Sequence, residues 1–202
     1  MFMQIIQGKV RDTAAAQACL DRWMLELAPG ATGWLGTTHG FTDDGTLIAA
    51  VRFDSRESAR TNSERPDQSA WWEDMATCFS EGATFHDCDD VQLLLGGGTP
   101  DAGFVQVIQG RVRDRARAQA ILDQSAQMLH DHRPDVLGAT IAVDADGIFT
   151  ETVCFSSEPA AREGEAKPMP PQLRDMMAEE MSLLDDVAYF DLRHPTMSGM
   201  RG

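Results

Sequence analysis

Residues 3–9 alternate between apolar and polar side chains and are rich in β-formers, the period-two pattern of a half-buried strand. Asp12 stands ahead of Thr13-Ala-Ala-Ala as a helix N-cap. Ala16, Cys19, Leu20, Trp23 and Leu27 then recur at one-turn spacing, which predicts an amphipathic helix that Pro29-Gly30 ends. Strands are predicted near 33–41 and 46–54, joined by a hairpin turn at Asp43-Asp44-Gly45. Ser55 caps a short helix reaching about Asn62. Pro66 opens another, with Trp71, Met75, Cys78 and Phe79 on one stripe that reads as core. A last strand near 84–95 is broken at Asp89-Asp90. The order is βαββαβ, a ferredoxin-like unit.

The pattern then begins again. Gln4-Ile-Ile-Gln-Gly-Lys-Val-Arg-Asp12 returns as Gln106-Val-Ile-Gln-Gly-Arg-Val-Arg-Asp114, and at this offset of 102 the residues from Gln4 to Arg60 are identical at 24 of 57 positions. Asp89-Asp90-Val91 matches Asp185-Asp186-Val187 at an offset of 96. Strands of the second unit are expected near 104–111, 136–143, 147–155 and 186–192. The expected division is 1–95, a first repeat; 96–102, a Gly-rich linker; 103–193, a second repeat; and 194–202, a flexible C-terminal tail. The fold class is α+β. Each unit has a sheet with one helix-covered face, so the two open faces are expected to pack against each other.

Charge narrows the function classes. Seventeen Lys and Arg stand against 32 Asp and Glu, a formal net charge of −15. Such a surface lacks the clustered cations that nucleic-acid phosphates or anionic membranes require. No apolar run approaches the roughly 20 residues of a membrane span, and the start shows no basic region followed by an apolar stretch, so a cytoplasmic protein is expected. Cys19, Cys78, Cys88 and Cys154 have no paired spacing and read as reduced thiols within helices and strands. His86-Asp-Cys88 and His130-Asp-His132 offer ligand types without a third and fourth partner at zinc spacing, so no metal is expected. A phosphate-binding glycine loop and a G-x-S-x-G elbow are also missing from the sequence.

The tandem βαββαβ pair resembles the dimeric α/β-barrel superfamily, its antibiotic-biosynthesis-monooxygenase-like branch above all. Val51-Arg-Phe-Asp-Ser-Arg-Glu-Ser-Ala-Arg60 is similar to that family's strand-then-helix segment after the hairpin, and Val153 to Arg162 is its twin. The resemblance implies two sheets closed into an intrachain pseudo-dimeric barrel with helices outside. It implies a monomer, or a further homodimer, that takes a small-molecule ligand. Activities in the family range from cofactor-independent oxygenases of polyketide-like aromatics to isomerases, haem-degrading enzymes and proteins without known activity. The haem-degrading members use an Asn on the first strand with a Trp and a His from the second helical region. Here Gln4 and Gln7 occupy the first strand, and the nearest His after Trp72 is His86, outside that helix.

Comparing the two repeats position by position singles out candidate residues. His39 stands opposite Ile141 and offers a proton acceptor, or else a hydrogen-bonded structural imidazole. Asn62 and Arg65 could stabilise an enolate and Trp72 could stack on a planar ligand; the other reading is a loop tied down by Asn and Arg. Gln4 and Gln106 are kept in both copies, as amides for a ligand or as structural pairs. Glu151 replaces Ala49 as a carboxylate for a second cavity, and Arg52 replaces Cys154 as a counter-charge in the first. The expected function is a cofactor-independent monooxygenase or isomerase of small aromatic or polyketide-like molecules, with its cavity in the first repeat. A non-catalytic small-ligand binding protein is the alternative, and a haem-binding or haem-degrading protein a third reading.

Overall fold

In a computed structural model, which describes residues 1–199, the chain folds as two βαββαβ units whose sheets pack face to face. The first unit contains β1 (Phe2–Lys9), α1 (Thr13–Arg22), β2 (Trp34–Phe41), β3 (Thr46–Phe53), α2 (Arg56–Ser63), α3 (Pro66–Cys78), β4 (Thr84–Cys88) and β5 (Asp90–Leu94). The second contains β6 (Phe104–Val112), α4 (Arg115–His132), β7 (Val136–Val143), β8 (Ile148–Phe155), α5 (Glu158–Glu165), α6 (Pro171–Met181), β9 (Leu184–Leu192) and β10 (Thr196–Ser198). The caps are those the sequence announces. Asp12 accepts from the backbone N–H of Ala14 and Ala15, Ser55 from Ser58, Asp114 from Arg117 and Ser157 from Ala160. The helix from α1 runs on through a widened turn at Trp23–Leu27 and a tight one at Ala28–Gly30.

The sheet orders are β10-β2-β3-β1-β4 and β5-β7-β8-β6-β9. Each unit therefore lends its last strand to the other's sheet. The break at Asp89 is where the chain leaves the first sheet: β4 pairs with β1, whereas β5 pairs with β7 of the second unit. Reciprocally, β9 pairs with β6 and β10 crosses to β2. The segment expected as a flexible tail thus contains a strand. Thr196, Met197 and Ser198 oppose His39, Thr38 and Thr37. Residues 200–202 of that expected tail lie outside the described residues.

Strand register also corrects the alignment of the last strands. Gln4 lies opposite Asp87 and its twin Gln106 opposite Asp191, so the structural counterpart of Asp87 is Asp191. Asp185 and Asp186 instead fall at an irregularity of the β6–β9 pairing, with Asp186 at φ 52°. Their match to Asp89-Asp90 is a coincidence of composition.

Alternation along the strands separates two environments. Met3, Ile5, Ile48, Ala50 and Cys88 meet Val105, Val107, Ala142, Cys154 and Leu192 between the sheets, and this shared layer is fully buried. The opposite faces carry the helices. Beneath α1 and α3, Trp23, Leu27, Leu47, Trp71, Met75 and Phe79 form a second core. The stripe is not repeated intact, because Met181, the counterpart of Phe79, is 44% exposed. The two units are also clasped at their rims. His86 Nδ1 on β4 and Asp144 Oδ2 at the end of β7 are 2.9 Å apart, and Arg193 at the end of β9 pairs with Asp43 in the first hairpin.

Candidate functional site

A buried apolar layer occupies the space between the sheets; two hollows lie outside it at twin positions, between sheet and helices, and a further recess lies beside Met24, Trp34 and Gly199. Register places equivalent residues in one row across each sheet. In the first sheet the row runs Thr196, His39, Ala49, Ile6, Phe85, and in the second Gln92, Ile141, Glu151, Ile108, Tyr189. Sequence comparison of the repeats had already opposed His39 to Ile141 and Glu151 to Ala49. The structure adds that all four face the helices.

The larger hollow belongs to the second unit, not the first. Its volume is about 680 Å³, within the range of roughly 300–1,000 Å³ typical of small-molecule sites, whereas its twin between sheet and helices in the first unit holds only about 90 Å³. Side-chain size at twin positions accounts for the difference. Trp23 and Met24 help fill the first hollow, and their counterparts are Ser125 and Ala126. Likewise Trp71 gives way to Leu173.

The large cavity is walled by apolar groups of β6–β9 and α4, among them Ile108, Leu122, Leu129, Val153 and Phe155. Part of the wall is borrowed: Leu93, Leu94 and Leu95 come from the first unit's lent strand and the turn after it. That turn is tight, with Leu95, Gly96 and Gly97 all at positive φ. Glu151 is set into this apolar surface. Burial, with the like charge of Glu180 on α6 added, pushes its carboxyl up to about 7. Burial also raises Glu180, and its Oε2 is buried without a hydrogen-bond partner among the described residues. A carboxyl that exchanges its proton near neutrality inside an apolar cavity is suited to general acid–base work.

The other candidates divide as follows. His39, Asn62 and Gln4 line the first hollow. Arg65 is committed to structure: its Nη1 donates to Asn62 Oδ1 (3.0 Å) and to the Leu27 carbonyl (3.1 Å), and it is paired with Asp67. Trp72 points away from the hollow and packs on Phe79 and Phe85; Trp71 is the indole that lines it, donating to the Cys19 carbonyl (2.8 Å). Arg52 shares the inward face of β3 with Ile48 and Ala50, so it faces neither hollow. Gln106 lines the large cavity beside Glu151. Gln4 and Gln106 each donate to the aspartate across the strand pair, Asp87 at 2.8 Å and Asp191 at 3.4 Å, which explains their retention in both copies. Arg133 of the large cavity escaped the sequence reading, and His130 entered it only as a candidate metal ligand. The signal available was the Trp23-Met24 to Ser125-Ala126 exchange above them.

Arg133 is bound on both its forks to Asp135 and reaches the Ala161 carbonyl. With Glu151 and Glu165 also in the wall, the cavity does not suit the two propionates of a haem, and no step is derived through one. Among the described residues no three metal-ligating side chains converge, and no helix is long and apolar enough to cross a membrane.

No protein-family model matches the sequence, and no curated protein does. Solved structures do. A Lactobacillus acidophilus NCFM protein provisionally named a monooxygenase superposes with a TM-score of 0.74 at 11% identity, over 98% of this chain and 96% of its own. The likeness is one of fold: two ferredoxin-like units whose sheets pack face to face. An anthrone oxidase-like protein matches this fold at a TM-score of 0.65 and 11% identity, over 98% of this chain and 93% of its own. A ferredoxin-fold protein of Listeria monocytogenes 4b F2365, described as related to antibiotic biosynthesis monooxygenases, matches at 0.53 and 12%, covering 97% and 95%. At such identities the likeness extends to the fold and stops there.

Proposed function

We propose that this barrel is a cofactor-independent monooxygenase of a small, largely apolar, aromatic or polyketide-like carbon acid, and that it works in the second cavity with Glu151 as the base. The observation that carries the reading is the carboxyl of Glu151, poised at about 7, in the largely apolar wall of a 680 Å³ cavity. Glu151 in its ionised form takes the proton from an activated CH2 held against the apolar wall. Dioxygen then oxidises that carbon, one oxygen atom remaining as the carbonyl and the other leaving as water with the two hydrogens.

Anthrone serves as the probe. The expected result is oxygen uptake in step with formation of the ketone, stopped under argon and reduced in Glu151→Gln. Uptake unchanged in Glu151→Gln overturns the assignment. Retention of the probe without product in air supports the alternative, a binding protein with the same cavity.

A further inference from the structure

The first hollow is a different kind of site. His39 is 3% exposed, and neither ring nitrogen has a hydrogen-bond partner among the described residues. A buried donor and acceptor left unpaired are costly, and such groups normally meet water or a ligand. The other polar groups around the hollow are engaged. Gln68 Oε1 accepts from Trp23 Nε1 (2.7 Å), Thr37 Oγ1 from Trp34 Nε1 (3.1 Å), and Asn62 Oδ1 from Arg65. Gln4 donates to Asp87 and Ser63 to the Ala59 carbonyl; no charged side chain lines the hollow, and the rest of its wall is apolar.

We infer that the first hollow binds a small uncharged molecule with one hydroxyl on a body of a few carbons, held through His39. A hydroxyl both donates and accepts, so it satisfies an imidazole nitrogen in either tautomer. The absence of wall charges disfavours an ion. The hollow, at about 90 Å³, equals roughly three liquid waters and is smaller than the ~150 Å³ cavity that admits benzene, which excludes the second cavity's ligands. Repeat comparison supports the same conclusion. The second unit puts Ile141 where the first keeps His39, so the scaffold tolerates an aliphatic residue there. The imidazole is not a requirement of the sheet.

The molecule carries its own reporter. All four tryptophans, 23, 34, 71 and 72, lie in the first unit, and Trp23 and Trp71 line the hollow. Titration of the full chain with ethanol, 1-propanol, 1-butanol and 1-hexanol, followed by tryptophan emission, should give saturable changes. Affinity should rise about fourfold per methylene through the shorter alcohols and fall at 1-hexanol, when the hollow is overfilled. The response should disappear in His39→Ile and survive in Glu151→Gln, which separates this site from the proposed catalytic one. Imidazole NMR of His39 provides a readout without substitution, since its ring signals should move with the same saturation curve. An identical response in His39→Ile, affinity still rising at 1-hexanol, or His39 signals unmoved at saturation would each overturn the proposal in favour of a water-filled hollow.

Discussion

The two hollows occupy twin positions and have opposite characters. In the first, a neutral imidazole sits in a space almost filled by Trp23, Met24 and Trp71. In the second, a carboxyl sits one strand further along in a space several times larger, where the counterparts are Ser125, Ala126 and Leu173. The layer between the sheets did not need to change for either outcome, because both hollows open on the far faces. Duplication thus separated the part that holds the molecule together from the two parts free to vary.

The largest effect that would break this contrast is at Glu151. Glu151→Ala installs the first unit's own residue, and turnover should fall by about 10²–10⁴-fold, the usual worth of a general base, while probe binding persists. Equal losses in binding and turnover would instead mark Glu151 as a packing residue. Next is cavity size: Ala126→Met copies Met24 and should weaken binding of a three-ring probe on the order of tenfold by overpacking, with tryptophan emission unaltered. His39→Ile should stabilise the alcohol-free protein by about 1–3 kcal/mol, read from the urea midpoint, because it removes an unsatisfied buried group.

The smallest effects are in the pH dependence of stability, and they have opposite signs in the two units. Burial holds His39 at about 4 against an ordinary 6.5, so its contribution is complete above pH 6.5 and lost as pH falls through 4. Glu151 is raised from an ordinary 4.5 to about 7, so its contribution is complete below pH 4.5 and lost as pH rises through 7. Each limb should be of the order of 1–3 kcal/mol. His39→Ile should flatten the acid limb alone and Glu151→Ala the neutral limb alone. Activity, which needs ionised Glu151, should rise through the pH range in which stability falls.

Much of this architecture can be read from the chain. The repeat, the caps at Asp12, Ser55, Asp114 and Ser157, and the strand alternation are local patterns, and the folded units follow them. Strand exchange is not local. Nothing in residues 90–94 distinguishes pairing with their own sheet from pairing with the neighbour's, and Asp89 reveals only that the strand breaks. Arg52 and Trp72 were misplaced for a related reason: one step reverses the face along a strand and turns it by about 100° along a helix, and period alone does not say which face holds the hollow. Glu151 was legible as a substitution of Ala49, but the size of its cavity depended on reading the helix above it together with the strand below.

The reciprocal loan of β5 and β10 also has a mechanical meaning. A single cut in the turn after Leu95 would leave two polypeptides that each hold a strand of the other's sheet and share one buried layer between them. Such fragments should stay together as a nicked but working molecule, and neither should persist for long on its own. The covalent connection between the units is in that sense redundant, a record of how the pair arose more than a condition of its survival.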